Sequence, residues 1–514
     1  MVLGLLGEAV ARGWESFNNT ESIIPTIAIL RLLTTLETRT ALNVSYVGIS
    51  QLVVILLNLG TLAILSRILT PEDFGLVGIA TIVLSLLYTV QDFGVMPSVI
   101  QRDSRIEDSV RAGLFLRWII AGFLTFALIL ISPLISSFLG DSRITAVVIV
   151  LIANMFILTF GFSSQALLTR SLRFWCLSIA SVVQYVVLAI VSVSLAIVGF
   201  TYWSLVFGSI AGSVSFVVVM MYFEKPLLKP VIDTELMKEL LGFGKHLLVT
   251  GLMVFAIFNL DQIAVGKALG TSALGIYLIA VKFGRTPGEQ ISNTVNRVLF
   301  PTMARIKDNN DLIRRGYSQS LRMIAIVAVP VCVGLSALSS MFVETLLGTD
   351  WLSAILPLAI ISFQGLLNAL IIPASNVLVS IGRPRYMSVQ STIQAVAILL
   401  GAYPVAVTYG ISGVCVFTTM LSLVVLAYFL FVFSNMFGTS FRELVGPMGY
   451  PLFSGAVMFL VLTWANQLLS TSIWSLVMLS VAGLLLYSAV LHIASRGKDT
   501  HDFINLLRRT LRAR

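Results

Sequence analysis

The chain reads "LSRILTPEDFGLVGIA" over residues 65–80 and "VGKALGTSALGIYLIA" over residues 265–280. In this register Leu69 meets Leu269, Gly75 meets Gly275, Ile79 and Ala80 meet Ile279 and Ala280, and Arg67 meets Lys267. Each copy is a short polar break between two long apolar runs. One connection is written twice, half a chain apart, so the unit that carries it is present twice.

The apolar runs set the class. Of 514 residues, 57% are hydrophobic and 11% charged, with a mean hydropathy of +0.97. A soluble chain carries about twice that share of charge. Runs of about 20 apolar residues cross a hydrocarbon core of ~30 Å as helices. Such runs fall at 44–66, 74–95, 113–139, 144–168, 176–198, 201–223, 246–268, 272–300, 319–341, 352–380, 387–408, 411–433, 449–467 and 472–494. The expected fold is an all-α polytopic membrane protein of about fourteen transmembrane helices.

The net charge of +9 is a topology signal and no nucleic-acid footprint. Connections after the odd-numbered spans hold Arg67, Arg143 and Lys267 and no other Lys or Arg. The other connections and both tails hold nearly all the rest, among them Arg102, Arg105, Lys225, Lys238, Arg314 and Arg383. By the positive-inside rule those segments and both termini face the cytoplasm, in a plasma or inner membrane. Cys176, Cys332 and Cys415 lie in apolar segments without Cys-x-x-Cys spacing, so buried thiols are expected and no metal site. Residues 1–43 lack a basic region ahead of the first apolar stretch, so a cleaved signal peptide is not expected. Broken at Pro25, they read as short helices on the inner surface.

The repeated break joins the first two spans of a six-span unit: spans 1 and 2, then 7 and 8. "RSLRF" (170–174) after span 4 is echoed by "GRPRY" (382–386) after span 10, and the tight turn at 198–206 by that at 409–417. Six is even, so both units enter the membrane in one orientation, related by a pseudo-two-fold axis along the membrane normal. The expected organisation is an interfacial segment 1–43, one lobe over 44–223, a cytoplasmic linker 224–245 and a second lobe over 246–433. Spans 13 and 14 over 434–494 lie outside the repeat, and a basic amphipathic tail over 495–514 rests on anionic lipid.

Span 8 concentrates the polar chemistry. Lys282, Arg285, Glu289, Asn293 and Asn296 follow at steps of three or four and share one narrow stripe. Lys282 lies about ten residues in, or ~15 Å at 1.5 Å per residue, near the midplane. A Lys or Arg there costs roughly 2.5–3.5 kcal/mol on insertion scales, so the stripe must face a polar cavity or a partner. Pro287 frees a backbone carbonyl and predicts a kink. Span 2 carries Ser85, Thr89 and Asp92 at the same spacing. Span 1 adds Gln51 and Asn58, span 7 Asp261, and span 10 Gln364 and Asn368, as further lining of one cavity. Two readings stand for Asp261: an ion pair with Lys282 or Arg285, or ion coupling. Asp92, near the end of its span, caps, snorkels or couples an ion. For the isolated Gln and Asn side chains, interhelical hydrogen bonds compete with substrate contacts.

These residues resemble a family. "ILSRILTPEDFGLVGIA", "DFGVMPSVIQRDSRIED", "LLTRSLRF" and "LDQIAVGKALGTSALGIYLIAVKF" look like signatures of Wzx-type polysaccharide flippases. These form part of the multidrug/oligosaccharidyl-lipid/polysaccharide exporter superfamily, and the resemblance is to the WzxC-like branch over about residues 44–435. It implies two six-helix lobes around a cavity that opens alternately inward and outward. It also implies a cargo, a lipid-linked oligosaccharide on a polyprenyl diphosphate, moved from the cytoplasmic to the external leaflet. The family's cationic cavity maps to Lys282 and Arg285, which are both expected to bind the diphosphate, and its span-7 acid to Asp261. The partners it implies are that substrate, membrane lipids, and a polysaccharide polymerase with glycosyltransferases. A monomer without cofactors is expected.

Two other classes compete. A drug exporter of the same superfamily wants acidic, aromatic walls for organic cations, whereas the deepest charges here are basic. A membrane glycosyltransferase or polymerase presents catalytic residues on a sizeable loop, and every external connection here is short. No phosphate-binding loop, nucleophile elbow or metal-ligand spacing appears, and His246, His492 and His501 are scattered, so no enzyme is read.

Overall fold

The computed structural model describes residues 47–102, 104–306 and 308–495. The expectations for residues 1–43 and for the tail from 496 onward lie outside these residues. Among the described residues, twelve helices are long and apolar enough to cross a membrane. In chain order the helices are α1 (Val47–Ser66), α2 (Pro71–Asp92), α3 (Val95–Gln101), α4 (Ile106–Leu139), α5 (Arg143–Phe160), α6 (Phe162–Arg170), α7 (Phe174–Ile197) and α8 (Trp203–Phe223). They continue with α9 (Thr234–Arg305), α10 (Asn310–Ala337), α11 (Ser339–Phe342), α12 (Ile355–Ser380), α13 (Arg385–Phe437), α14 (Phe441–Leu468) and α15 (Ile473–Ala494).

Two helices are too long for one crossing. α9 has 72 residues and α13 has 53, about 110 and 80 Å at 1.5 Å per residue against a core of ~30 Å. Each breaks at one glycine with non-helical geometry, Gly270 (φ 87°) and Gly410 (φ 64°). Positive φ is open to glycine at little cost, so the chain reverses there without a loop. At Pro287, where a kink is expected, the backbone angles stay helical, and the non-helical residue inside α9 is Gly270. Close packing surrounds the proline. A Cβ on Gly288 would collide with the Gly365 carbonyl, and one on Gly284 would press on the Ile361–Ser362 backbone. α12 therefore clamps α9 on both sides of the proline.

The repeated stretch builds the point where the two halves of the chain meet. "TPED" starts α2: Thr70 caps Asp73, the Asp73 carboxylate caps back to Thr70, and Pro71 stands at the first turn. A Cβ on Gly75 would strike the Thr271 carbonyl, and one on Gly275 would strike the Pro71 carbonyl. The sequence-equivalent glycines thus let α2 and the second arm of α9 cross backbone to backbone. Around the crossing, Leu65, Leu69, Phe74, Leu274, Tyr277 and Trp351 form one buried cluster drawn from both halves. We call this the turn end of the bundle, and the opposite end, with residues 224–233, the linker end.

At the linker end the first turns of α9 dock by an amphipathic face. Leu236 and Leu240 are buried against Val95, Val99, Val110 and Phe162. Arg102 pairs with Glu239 at 2.5 Å and Arg105 with Asp233 at 2.8 Å. The Asp233 carboxylate caps α9 by accepting from the Glu235 and Leu236 amides. Those amides, the Leu236 one foremost, and the Arg105 guanidinium hold it below the usual carboxylate range. A depressed acid contributes stability that is present above about pH 3.9 and lost only as the pH falls through the lower folded value. Protection of the amides across residues 234–242, corrected for intrinsic exchange, therefore holds through about pH 4 and falls below it. In Asp233→Ala it is low at neutral pH. α14 and α15 pack on α10, with Met458 and Leu462 buried beside Val329 and Val333.

Candidate functional site

The residues of the stripe on α9 part company. Gly275, Leu278 and Lys282 follow at three and four, so they share a face. Leu278 meets Gly78 of α2 beside the Gly75–Gly275 crossing. Lys282 lies seven residues, ~10 Å, further along the same face. There the helices have diverged: Lys282 and Thr81 of α2 are both exposed. Lys282 makes no hydrogen bond or ion pair with a described residue. Its ammonium stands on the α2-facing side of α9, about two helical turns along from the Gly75–Gly275 crossing.

Arg285 points elsewhere. It is 7% exposed and lines a polar pocket of about 190 Å³ built from both arms of α9, α12 and α13. Its Nη1 stands 3.9 Å from Asp261 Oδ2 and its Nε 3.5 Å from Glu289 Oε1. Its guanidinium lies 5.2 Å from the centre of the Phe258 ring. Asp261 is 1% exposed. Its carboxylate accepts from Tyr277 Oη at 2.7 Å and from the Gln262 amide at 2.8 Å. Asn368 Nδ2 donates to Glu289 Oε1 at 3.0 Å, and Ser422 Oγ donates to Asn368 Oδ1 at 3.2 Å. Gln364 Nε2 donates to Ser422 at 3.4 Å, while Gln364 Oε1 finds no partner among the described residues. A buried carboxylate is stable when paired and hydrogen-bonded, and this network supplies both. Of the two readings open for Asp261, the geometry contains the ion pair, and with Arg285.

The structure therefore gathers Asp261, Arg285, Glu289, Gln364 and Asn368 and leaves other expected lining residues outside that pocket. Asn293 is exposed, and Asn296 bonds back to Ser292. Ser85 and Thr89 bond to carbonyls of their own helix. Gln51 and Asn58 on α1 are half-buried. Asp92 accepts from Arg117 Nη1 at 2.7 Å, and Arg117 stacks 4.8 Å over Phe162. The sequence reading missed Arg117. Its signal was a charge inside the apolar run "LFLRWII" (114–120), eleven residues beyond the α4 start at Ile106. It also missed Tyr277 and Ser422, whose roles depend on neighbours distant in sequence.

A second cavity is of opposite character. About 350 Å³ in volume, it lies between α2, α4 and the first arm of α9. Leu86, Leu124, Leu128, Ile131 and Phe255 are among its walls, and Gln262 is the polar residue of its lining. Its chemistry suits hydrocarbon.

A family described as polysaccharide biosynthesis protein matches residues 64–356, more than half of the chain. The chain belongs to that family. The matched region contains both copies of the repeated break and both cations of the stripe, and it ends before Gln364 and Asn368. Teichuronic acid biosynthesis protein TuaB of Bacillus subtilis is 31% identical over 300 residues, spanning 57% of this chain and 61% of that protein. Lipopolysaccharide biosynthesis protein WzxC of Escherichia coli is 25% identical over 436 residues, 81% of this chain and 86% of that one. In fold, the chain resembles lipid II flippase MurJ in an inward closed conformation, with a TM-score of 0.72. That match has 13% identity and covers 87% of this chain and 99% of the other.

Proposed function

We propose that this protein flips a lipid-linked oligosaccharide, carried on a polyprenyl diphosphate, from the cytoplasmic to the external leaflet for cell-surface polysaccharide biosynthesis. The observation that carries the reading is Lys282, an exposed ammonium with no hydrogen bond or ion pair among the described residues, about two helical turns along α9 from the α2–α9 crossing. A diphosphate bearing sugars loses its hydration in hydrocarbon, and a fixed cation replaces part of that hydration. Membership of a polysaccharide biosynthesis family supports the same cargo. Lys282 meets the diphosphate in this scheme. Arg285 is held behind it by Asp261 and Glu289 and gives the second lobe its internal charge balance. The apolar cavity between α2, α4 and α9 takes part of the lipid chain.

The protein works by alternating access. Residues 44–223 and 246–433 act as two lobes of six crossings each, joined by the 224–245 linker, and they rock about the crossing. By the distribution of Lys and Arg the linker end and both termini face the cytoplasm and the turn end faces outward. The turn end is sealed here, so a cargo entering from the cytoplasmic side meets Lys282 first and a closed crossing beyond it. Depleting the protein in its native host tests the function. Lipid-linked oligosaccharide accumulates on the cytoplasmic leaflet, its mass reveals the glycan, and re-expression of wild type clears it. Loss of surface polymer with no such accumulation rejects the cargo.

A further inference from the structure

The two copies of the repeated break carry one basic residue each in register, Arg67 and Lys267. Both reach across the chain's two halves to the same kind of target. Arg67, in the turn after α1, donates through Nε to the Leu346 carbonyl at 3.0 Å and through Nη2 to those of Glu344 and Thr345. Those carbonyls belong to the turn Val343–Leu347 that ends the ninth span. Lys267, just before Gly270, donates to the Phe138 carbonyl and sits 4.4 Å from the Phe138 ring centre. Phe138 lies in the last turn of α4, the third span. Three and nine differ by six, so the repeat that relates Arg67 to Lys267 also relates their targets.

We infer that Arg67 and Lys267 form a reciprocal latch that holds the outward end of the translocation path shut. Each cation caps the helix end of the opposite lobe. The last four carbonyls of a helix have no partner within it and carry the negative end of its dipole, so a cation from across the interface satisfies both. The Arg67 arm lies against Gly348, whose φ of 107° favours glycine and where a Cβ would make only an ordinary contact, 3.6 Å from Arg67 Cδ. Trp351 Nε1 donates to the Ser66 carbonyl at 2.8 Å and steadies the turn that carries Arg67. Both bonds bridge the lobes at the turn end beside the Gly75–Gly275 crossing, with Arg67 four residues before Pro71 and Lys267 four before Thr271, and both must break before the lobes part there. Water replaces the protein donors once the carbonyls are exposed. The latch therefore sets the ratio of the two conformations without touching the cargo. Arg67 and Lys267 are positioning residues.

The inference rests on the sidedness proposed above, and the test separates the two. Thr81, exposed just below the crossing, is replaced by cysteine; the native Cys176, Cys332 and Cys415 are buried. A membrane-impermeant maleimide is applied to right-side-out and inverted vesicles. With the latch intact, labelling from outside is slow. Arg67→Ala and Lys267→Ala each raise the outside rate about 2- to 30-fold, the span expected for a cation on a helix C-terminus. The double variant gives roughly the product of the two, because the sites share no partner. Arg67→Lys, which keeps the charge, stays near the unsubstituted rate. A double variant of normal abundance that labels from outside at the unsubstituted rate overturns the latch. So does acceleration from both faces at once, which reports unfolding. Acceleration confined to inverted vesicles keeps the latch and overturns the sidedness.

Discussion

Arg285→Ala lowers stability by about 3–5 kcal/mol, because it strands the Asp261 carboxylate in a buried site without its guanidinium. Asp261 is 1% exposed, and its remaining partners are the Tyr277 hydroxyl and the Gln262 amide. Two hydrogen bonds do not replace a countercharge at that depth. Glu289 suffers less: its side chain is 19% exposed and it keeps Asn368. Combining Asp261→Asn with Arg285→Met removes both charges and keeps an acceptor for Tyr277. That double variant recovers most of the loss, since an apolar replacement of a buried ion pair is often neutral. Equilibrium unfolding in detergent, run on the single and double variants, measures the coupling. An Arg285→Ala protein as stable as wild type shows that Asp261 does not depend on Arg285.

Lys282→Gln gives the opposite signature. Stability stays within about 0.5 kcal/mol of wild type, as expected for an exposed side chain with no hydrogen bond or ion pair among the described residues. Flipping falls about 10- to 150-fold, the equivalent of one hydrogen bond to a charged group. Lys282→Arg keeps most of the activity, because a diphosphate accepts from either cation. The readout is the appearance of lipid-linked oligosaccharide in the external leaflet, normalised to the amount of folded protein. Flipping by Lys282→Gln at the wild-type rate removes Lys282 from the diphosphate contact. Two adjacent cations of one stripe thus separate, one by its effect on folding and the other by its effect on transport.

Part of this was legible in the residues. Run length and hydropathy placed the helices in a membrane. The "TPED" capping box marked where α2 begins. The equivalence of Gly75 with Gly275 was visible as sequence, and the structure turns it into a contact. The division of the stripe was not legible. Lys282 and Arg285 differ by about 60° around the helix axis, which counts as one face on a helical wheel. That small angle carries Lys282 toward α2 and Arg285 into the pocket behind α12. Arg117 and Asp92 escaped notice as a pair because they sit on different helices. Around Pro287 the packing was also invisible in the sequence: Gly284, Gly288 and Gly365 bring two helices together there.

By itself, the sequence determined a polytopic helical membrane protein with a repeated break and with charges set inside its apolar runs. These follow from local quantities: hydrophobic length, periodicity and the cost of moving charge into hydrocarbon. Only the tertiary structure decided which of the two cations pairs with a described carboxylate, and that the repeated basic residues bind each other's half of the chain. Pairing depends on which helix faces which at distances of 3–4 Å, across separations of up to 279 residues. Spacing along a chain gives the direction of a side chain about its own axis, and the packing of helices supplies the neighbour it meets.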